Sequence, residues 1–247
     1  MKKATYIHLN EMESTACKLA CKNCYLTQEK LDKPQMAIEK VFNLIGPDTV
    51  LTRAYYLNNL DRNPNMKLNK TMLTSAMEEH ANKLFSENIL VTDSITAQKL
   101  DKSKMVRCGF NQLTFSPRTE ASALATLEHF KDWNNGTRLS VIHTVGLDNP
   151  KFLYEVVLAG IQKIELNISK PYSTETYLDY MKLESILRSL GEKKSLTIYG
   201  DSCLEFVSQG KDCKDPEDGE WEITTIEDSN EFYSCSYTTN ECIASNK

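Results

Sequence analysis

Cys17, Cys21 and Cys24 stand as C-x3-C-x2-C in the run CKLACKNCYL. Three thiolates packed into eight residues can surround one iron–sulfur cluster and leave one iron without a protein ligand. An open iron can take a substrate or a cofactor, whereas a fully ligated cluster mainly carries electrons or braces the fold. A second group, Cys203, Cys213, Cys235 and Cys242, stands near the other end of the chain. Four thiolates can close a site of their own, either a [4Fe–4S] cluster or a tetrahedral zinc, and unligated thiols are the bland alternative. Zinc competes for the triplet as well, but zinc knuckles favour paired C-x2-C units and require a fourth protein ligand. Cys108, alone between the groups, reads as a small buried hydrophobe.

The bulk properties narrow the setting. A chain of 247 residues can bury a full core, so one α/β domain with a small appendage is expected. A net charge of −5 gives no sequence-independent attraction to nucleic acid. No stretch has the length and apolarity of a membrane span. The start, MKKATYIHLNEMEST, lacks the long apolar segment of a signal peptide. These features imply a cytoplasmic, reducing location, where eight cysteines suggest metal or redox chemistry more than disulfides.

The elements that must position the cysteines alternate strand and helix. Residues 6–9 form a short apolar strand, and the triplet is a loop leaving it. Pro34 opens a helix through Leu44, closed by Gly46-Pro47. Residues 49–57 are apolar and β-rich, and apolar residues recur at helical spacing from Met72 to Leu84. Strands are expected at 89–91, 112–116, 139–145, 163–168 and 195–199. Between them lie a helix at 96–100, a helix capped by Thr119 and running to about Trp133, and a helix opening at Asp148-Asn149-Pro150. Phe152, Val156, Val157 and Ile161 form the buried stripe of that last helix. Ser173 caps one more, ending near Leu190-Gly191. Repeated βα units imply a parallel sheet, wound by right-handed crossovers into a partial or complete barrel. Ligands then collect at the carboxyl ends of the strands. After Gly200 the composition changes. Residues 221–227 and 231–237 alternate like a β-hairpin inside a cysteine-rich tail, giving domains at 1–200 and 201–247.

The triplet in CKLACKNCYL, placed after a first strand, resembles the signature of the radical S-adenosylmethionine superfamily. The resemblance covers the βα order from about residue 5 to 200 and implies an α/β fold with a partial (βα)6 barrel, a partial TIM barrel of parallel strands. It implies that Cys17, Cys21 and Cys24 bind three irons of a [4Fe–4S] cluster, with S-adenosylmethionine chelating the fourth. Reductive cleavage would then release a 5′-deoxyadenosyl radical that abstracts hydrogen from a substrate, an oxidoreductase-type chemistry carried by the cofactor. The chain departs from the family at two places. Asn23 stands where an aromatic residue usually precedes the third cysteine, leaving Tyr25 as the nearer aromatic. The stretch RAYYLNNL stands where a Gly-Gly-Glu run often meets the methionyl amine, leaving Asn58 or Asn59 as the polar contact. By the same resemblance, Ser116 and Arg118 at the end of QLTFSPR would reach the cofactor's ribose and carboxylate, the guanidinium through paired bonds. His143 and Asn167 are further candidates, on strands 139–145 and 163–168; the bland readings are a packed histidine and a solvated loop.

The tail, a small β-hairpin extension rich in cysteine, resembles the twitch extension, a relative of the longer SPASM extension. That likeness implies one auxiliary [4Fe–4S] cluster held by Cys203, Cys213, Cys235 and Cys242, serving as an electron conduit. A reducing partner such as flavodoxin or ferredoxin follows, with no membrane partner and a monomer or weak oligomer. Peptide-modifying relatives often carry a leader-binding domain before the barrel. Here the barrel begins at once, so a small molecule or nucleoside-type substrate ranks first, a peptide second and a polymeric nucleic acid third. The rival from another class is a non-catalytic zinc-binding α/β module.

Overall fold

The computed structural model describes residues 5–10, 51–57, 85–107, 110–117, 119–133, 139–169, 172–201, 204 and 222–224. The strands are β1 (Thr5–Asn10), β2 (Leu51–Leu57), β3 (Phe85–Asp93), β4 (Gln112–Ser116), β5 (Leu139–Val145), β6 (Lys163–Ile168), β7 (Thr197–Gly200) and β8 (Glu222–Thr224). The helices are α1 (Ser94–Ala97), α2 (Lys102–Arg107), α3 (Glu120–His129), α4 (Lys151–Leu158) and α5 (Thr174–Lys194). The described region is an α/β fold with parallel strand pairing. The chain divides into two compact units. One comprises Met1–Thr92, Lys99–Leu113 and Cys213–Thr238; the other comprises Asp93–Gln98, Thr114–Asp212 and Thr239–Lys247.

In the first unit the strand order is β3-β2-β1-β8. All three pairings are parallel, with Tyr6 opposite Thr52 on one side and Glu222 on the other. The chain therefore steps outward from β1 to β2 and β3, and returns much later to the opposite flank of β1. Strand β3 is nine residues long, where only 89–91 was expected. Its added amino half reads Phe-Ser-Glu-Asn, too polar to register as a buried strand. A register shift between Leu51 and Thr52 carries Ser86 as an extra residue, since Phe85 and Glu87 face consecutive residues of β2. The carboxyl half, Leu90 to Asp93, is buried without alternation, as strands of a covered parallel sheet are. Of the hairpin expected in the tail, β8 is described, and it adds to β1. Residues 231–237 and the two early helices expected before β2 and β3 lie outside the described residues.

The second unit carries the order β4-β5-β6-β7, and β5, β6 and β7 pair in parallel. Strands β4, β5 and β6 fall on the residues their apolar runs predict. Helix α5 packs on β5, β6 and β7, with Tyr180, Leu183 and Leu187 buried at i, i+3 and i+7. Burial of each such side chain contributes about 1.5–3 kcal/mol. On α4 the buried stripe is Leu153, Val156 and Val157, followed by Ile161; Phe152, expected in the stripe, is only half-buried. The helix starts at Lys151 with Pro150 as its N-cap, and the Asn149 Oδ1 just before it accepts the Lys151 N–H at 3.1 Å.

Caps explain most boundaries. Thr119 and Ser122 form a reciprocal capping box at the start of α3. That helix ends at His129, and Trp133 sits in a separate 3-10 turn, Lys131–Trp133. Asp93 caps α1, its Oδ1 accepting the N–H groups of Ile95 and Thr96. The helix expected at 96–100 is therefore drawn forward to Ser94 and ends at Ala97, with α2 following as a separate turn. Helix α5 runs through Gly191 to Lys194 and stops at Ser195, which takes the left-handed conformation at φ 55° and ψ 37°. That end delays β7 to Thr197. Gly191 serves as a close approach, since a Cβ there would sit 2.7 Å from the Leu196 carbonyl oxygen.

Candidate functional site

Alternation along β4, β5 and β6 divides the second unit's sheet into two chemically different faces. One carries Phe115, Val141, Val145, Ile164, Leu166 and Ile168, all buried. His143 belongs to this apolar face by its place between Val141 and Val145, and Leu166 is its register partner on β6. It is 1% exposed, and its Nδ1 is buried with no hydrogen-bond partner. Burial lowers its pKa from 6.5 to about 4, so the ring is neutral at physiological pH. A ligand-facing histidine needs access; this one has the surroundings of a core residue.

The other face is mostly polar, with Ile142, the register partner of Glu165, as an apolar member. Thr114, Ser140 and Glu165 meet on it: the Thr114 hydroxyl donates to Glu165 Oε1 at 3.0 Å and the Ser140 hydroxyl to the same oxygen at 3.3 Å. Thr114 and Ser140 also contact each other through their hydroxyls. Both are fully buried, while Glu165 is half-buried. Toward the carboxyl ends the same face presents Ser116, Thr144 and Asn167, each half-buried. Thr144 and Asn167 are register partners. Two residues expected at a site, Ser116 and Asn167, thus share one face, with His143 on the reverse. Glu165 was missed, because a half-polar pattern in KIELNI gives no hint of which alternate residues gather around one carboxylate.

The exits of these strands are tied by hydrogen bonds. After β5, the Thr144 carbonyl accepts the N–H groups of Leu147 and Asp148, and Asp148 Oδ2 accepts the Thr144 N–H at 2.7 Å. Gly146 turns the chain at φ 89°, with Thr176 Cγ2 and Ser169 Cβ 3.0 and 3.2 Å from where a Cβ would lie. Ser169 is buried there. After β7, Asp201 ties the sheet end together: its Oδ2 accepts the Ile168 N–H at 3.2 Å, and its own N–H donates to Tyr180 Oη at 2.8 Å. The Tyr180 hydroxyl donates onward to the Leu166 carbonyl, and burial pushes its pKa up to about 12.

Cys17, Cys21, Asn23, Cys24, Tyr25, Asn58, Cys108, Arg118, Cys203, Cys213, Cys235 and Cys242 lie outside the described residues. Among the described residues there is no group of three or more His, Cys, Asp or Glu placed to hold a metal ion. No described helix is long and apolar enough to cross a membrane. No protein-family model matches the chain, and neither the curated proteins nor the solved structures include a match to it.

Proposed function

We propose that this chain is a radical S-adenosylmethionine enzyme acting on a small organic substrate. The observation that carries the reading is the C-x3-C-x2-C run beginning seven residues after β1, which has parallel partners on both sides. The order β3-β2-β1-β8 turns back at β1. In sheets of parallel βα units, ligands collect beyond the carboxyl ends of the strands. The triplet follows the strand at that point.

The donor set fits the group: three thiolates are one ligand short of enclosing four irons, and thiolate is the usual ligand of iron in such clusters. Cys17, Cys21 and Cys24 would hold the [4Fe–4S] cluster. Bound with S-adenosylmethionine, it would supply the electron that cleaves the sulfonium bond and yields a 5′-deoxyadenosyl radical. The protein's share is to orient the reactants and keep water out. On this reading the βα units form a partial barrel through about residue 200. The tail cysteines Cys203, Cys213, Cys235 and Cys242 hold an auxiliary cluster, and a flavodoxin or ferredoxin supplies electrons.

The test is metal analysis of anaerobically purified protein. Brown protein with iron and sulfide supports the reading. Replacing Cys17, Cys21 and Cys24 together by alanine should remove one cluster's iron and leave the tail's in place. Colourless protein carrying stoichiometric zinc would favour the non-catalytic zinc module.

A further inference from the structure

Helix α1 is four residues long, too short to hold itself. Its buried residues are Ser94, Thr96 and Ala97, while Ile95 is 40% exposed. The buried side is small and mostly polar, so the place of α1 depends chiefly on hydrogen bonds. Asp93 caps its first turn, and Oδ2 of the same carboxylate accepts the Thr96 hydroxyl at 2.6 Å.

The rest of the hold comes from α3. Gln98 is the C-cap of α1 and is half-buried. Its Nε2 donates to the Ser122 carbonyl at 3.0 Å and to the Thr126 hydroxyl oxygen at 3.3 Å. The same nitrogen donates back to the Ser94 carbonyl at 3.0 Å. The Thr126 hydroxyl donates to that carbonyl at 3.0 Å, and the Ser94 hydroxyl donates to Ser122 Oγ at 2.9 Å. Ser94 and Thr126 are fully buried. Apolar contacts tolerate small slips, whereas hydrogen bonds weaken steeply with distance and angle. A satisfied network of neutral groups therefore fixes one register between α1 and the first turns of α3. Thr119, the cap of α3, stands three residues beyond Ser116, the last residue of β4. The network thus sets where the chain leaving Ser116 must arrive.

We propose that Gln98 is a positioning residue for S-adenosylmethionine: by tying α1 to α3 it sets how the chain after β4 meets the cofactor. The assignment rests on the radical-enzyme reading, in which Ser116 reaches the cofactor's ribose. Gln98 acts through α3 and is not itself a catalytic residue.

Gln98→Met keeps the length of the side chain and removes its donors. Thr126→Val keeps the shape and removes the buried hydroxyl. In reconstituted, reduced full-length protein, each should raise KM for S-adenosylmethionine about tenfold in 5′-deoxyadenosine formation, with kcat changed by less than about twofold. The double variant should be no worse than the worse single one, because both act in one network. Ile95→Ala, on the exposed side of the same helix, should leave KM unchanged. Amide exchange at Ser122 and Ala123 should quicken in Gln98→Met, with or without cofactor. An unchanged KM in both variants would overturn the proposal even if the melting temperature falls, since a brace alone lowers stability without moving KM in folded protein. A loss confined to kcat would overturn it as well, and unaltered exchange in α3 would overturn the tie itself. Wild-type protein that binds no S-adenosylmethionine would instead overturn the radical reading, and the cofactor assignment with it.

Discussion

His143 should make the protein sensitive to mild acid in a way that one substitution removes. The folded ring, 1% exposed and bounded by Val141, Val145 and Leu166, has a pKa near 4 against an ordinary 6.5. The unfolded chain therefore takes up the proton first as pH falls. The contribution is fully present above about pH 6.5 and is lost progressively down to about pH 4, below which it levels off. With about 1.4 kcal/mol per pKa unit, this one ring removes about 2 kcal/mol of stability between pH 7 and pH 5. His143→Leu keeps a side chain of similar size and abolishes the titration. Urea unfolding of both proteins at the two pH values isolates the effect, since the other titrating groups are common to both. The wild type should lose about 2 kcal/mol more than the variant. An NMR titration should show the His143 ring neutral at pH 5. Parallel pH dependence in the two proteins, or a ring titrating near 6.5, would refute the reasoning.

Other consequences follow from backbone and caps. Gly146→Ala places a Cβ against Thr176 and Ser169 at φ 89°, and should cost about 1–3 kcal/mol; an unchanged melting temperature would contradict the described turn. Ser195→Gly relieves the left-handed residue that ends α5 and should stabilise by about 0.5–1 kcal/mol in the same assay. Tyr180→Phe strips the acceptor from the Asp201 N–H and the donor from the Leu166 carbonyl, and should cost about 1–3 kcal/mol. Amide exchange at Asp201 should quicken in that variant, and unaltered protection would argue against the tie.

How far the sequence carried depended on the kind of signal. Strands β4, β5 and β6 were legible to the residue because short β-rich stretches with alternating apolar residues end at turn-forming residues. The caps at Thr119 and Ser173 were legible because a hydroxyl residue precedes each helical stretch. Asp93 was missed, since it ends a strand and caps a helix at once. The end of α5 was missed because Gly191 looks like a stop, although it is a contact point with Leu196. Ser116 and Asn167 were legible as polar residues at strand ends. Which face each residue takes was not, because His143 differs from Thr144 only by strand alternation. The Thr114–Ser140–Glu165 cluster joins residues 26 and 51 positions apart, and no local pattern records such a meeting.

The central claim is best tested by one measurement. Anaerobic protein with its cluster reconstituted is reduced by dithionite, given S-adenosylmethionine and assayed for 5′-deoxyadenosine by chromatography. Wild-type protein should form 5′-deoxyadenosine, and the variant with alanine at 17, 21 and 24 should yield none. No 5′-deoxyadenosine from fully reconstituted wild-type protein, or equal yields from both proteins, would contradict it.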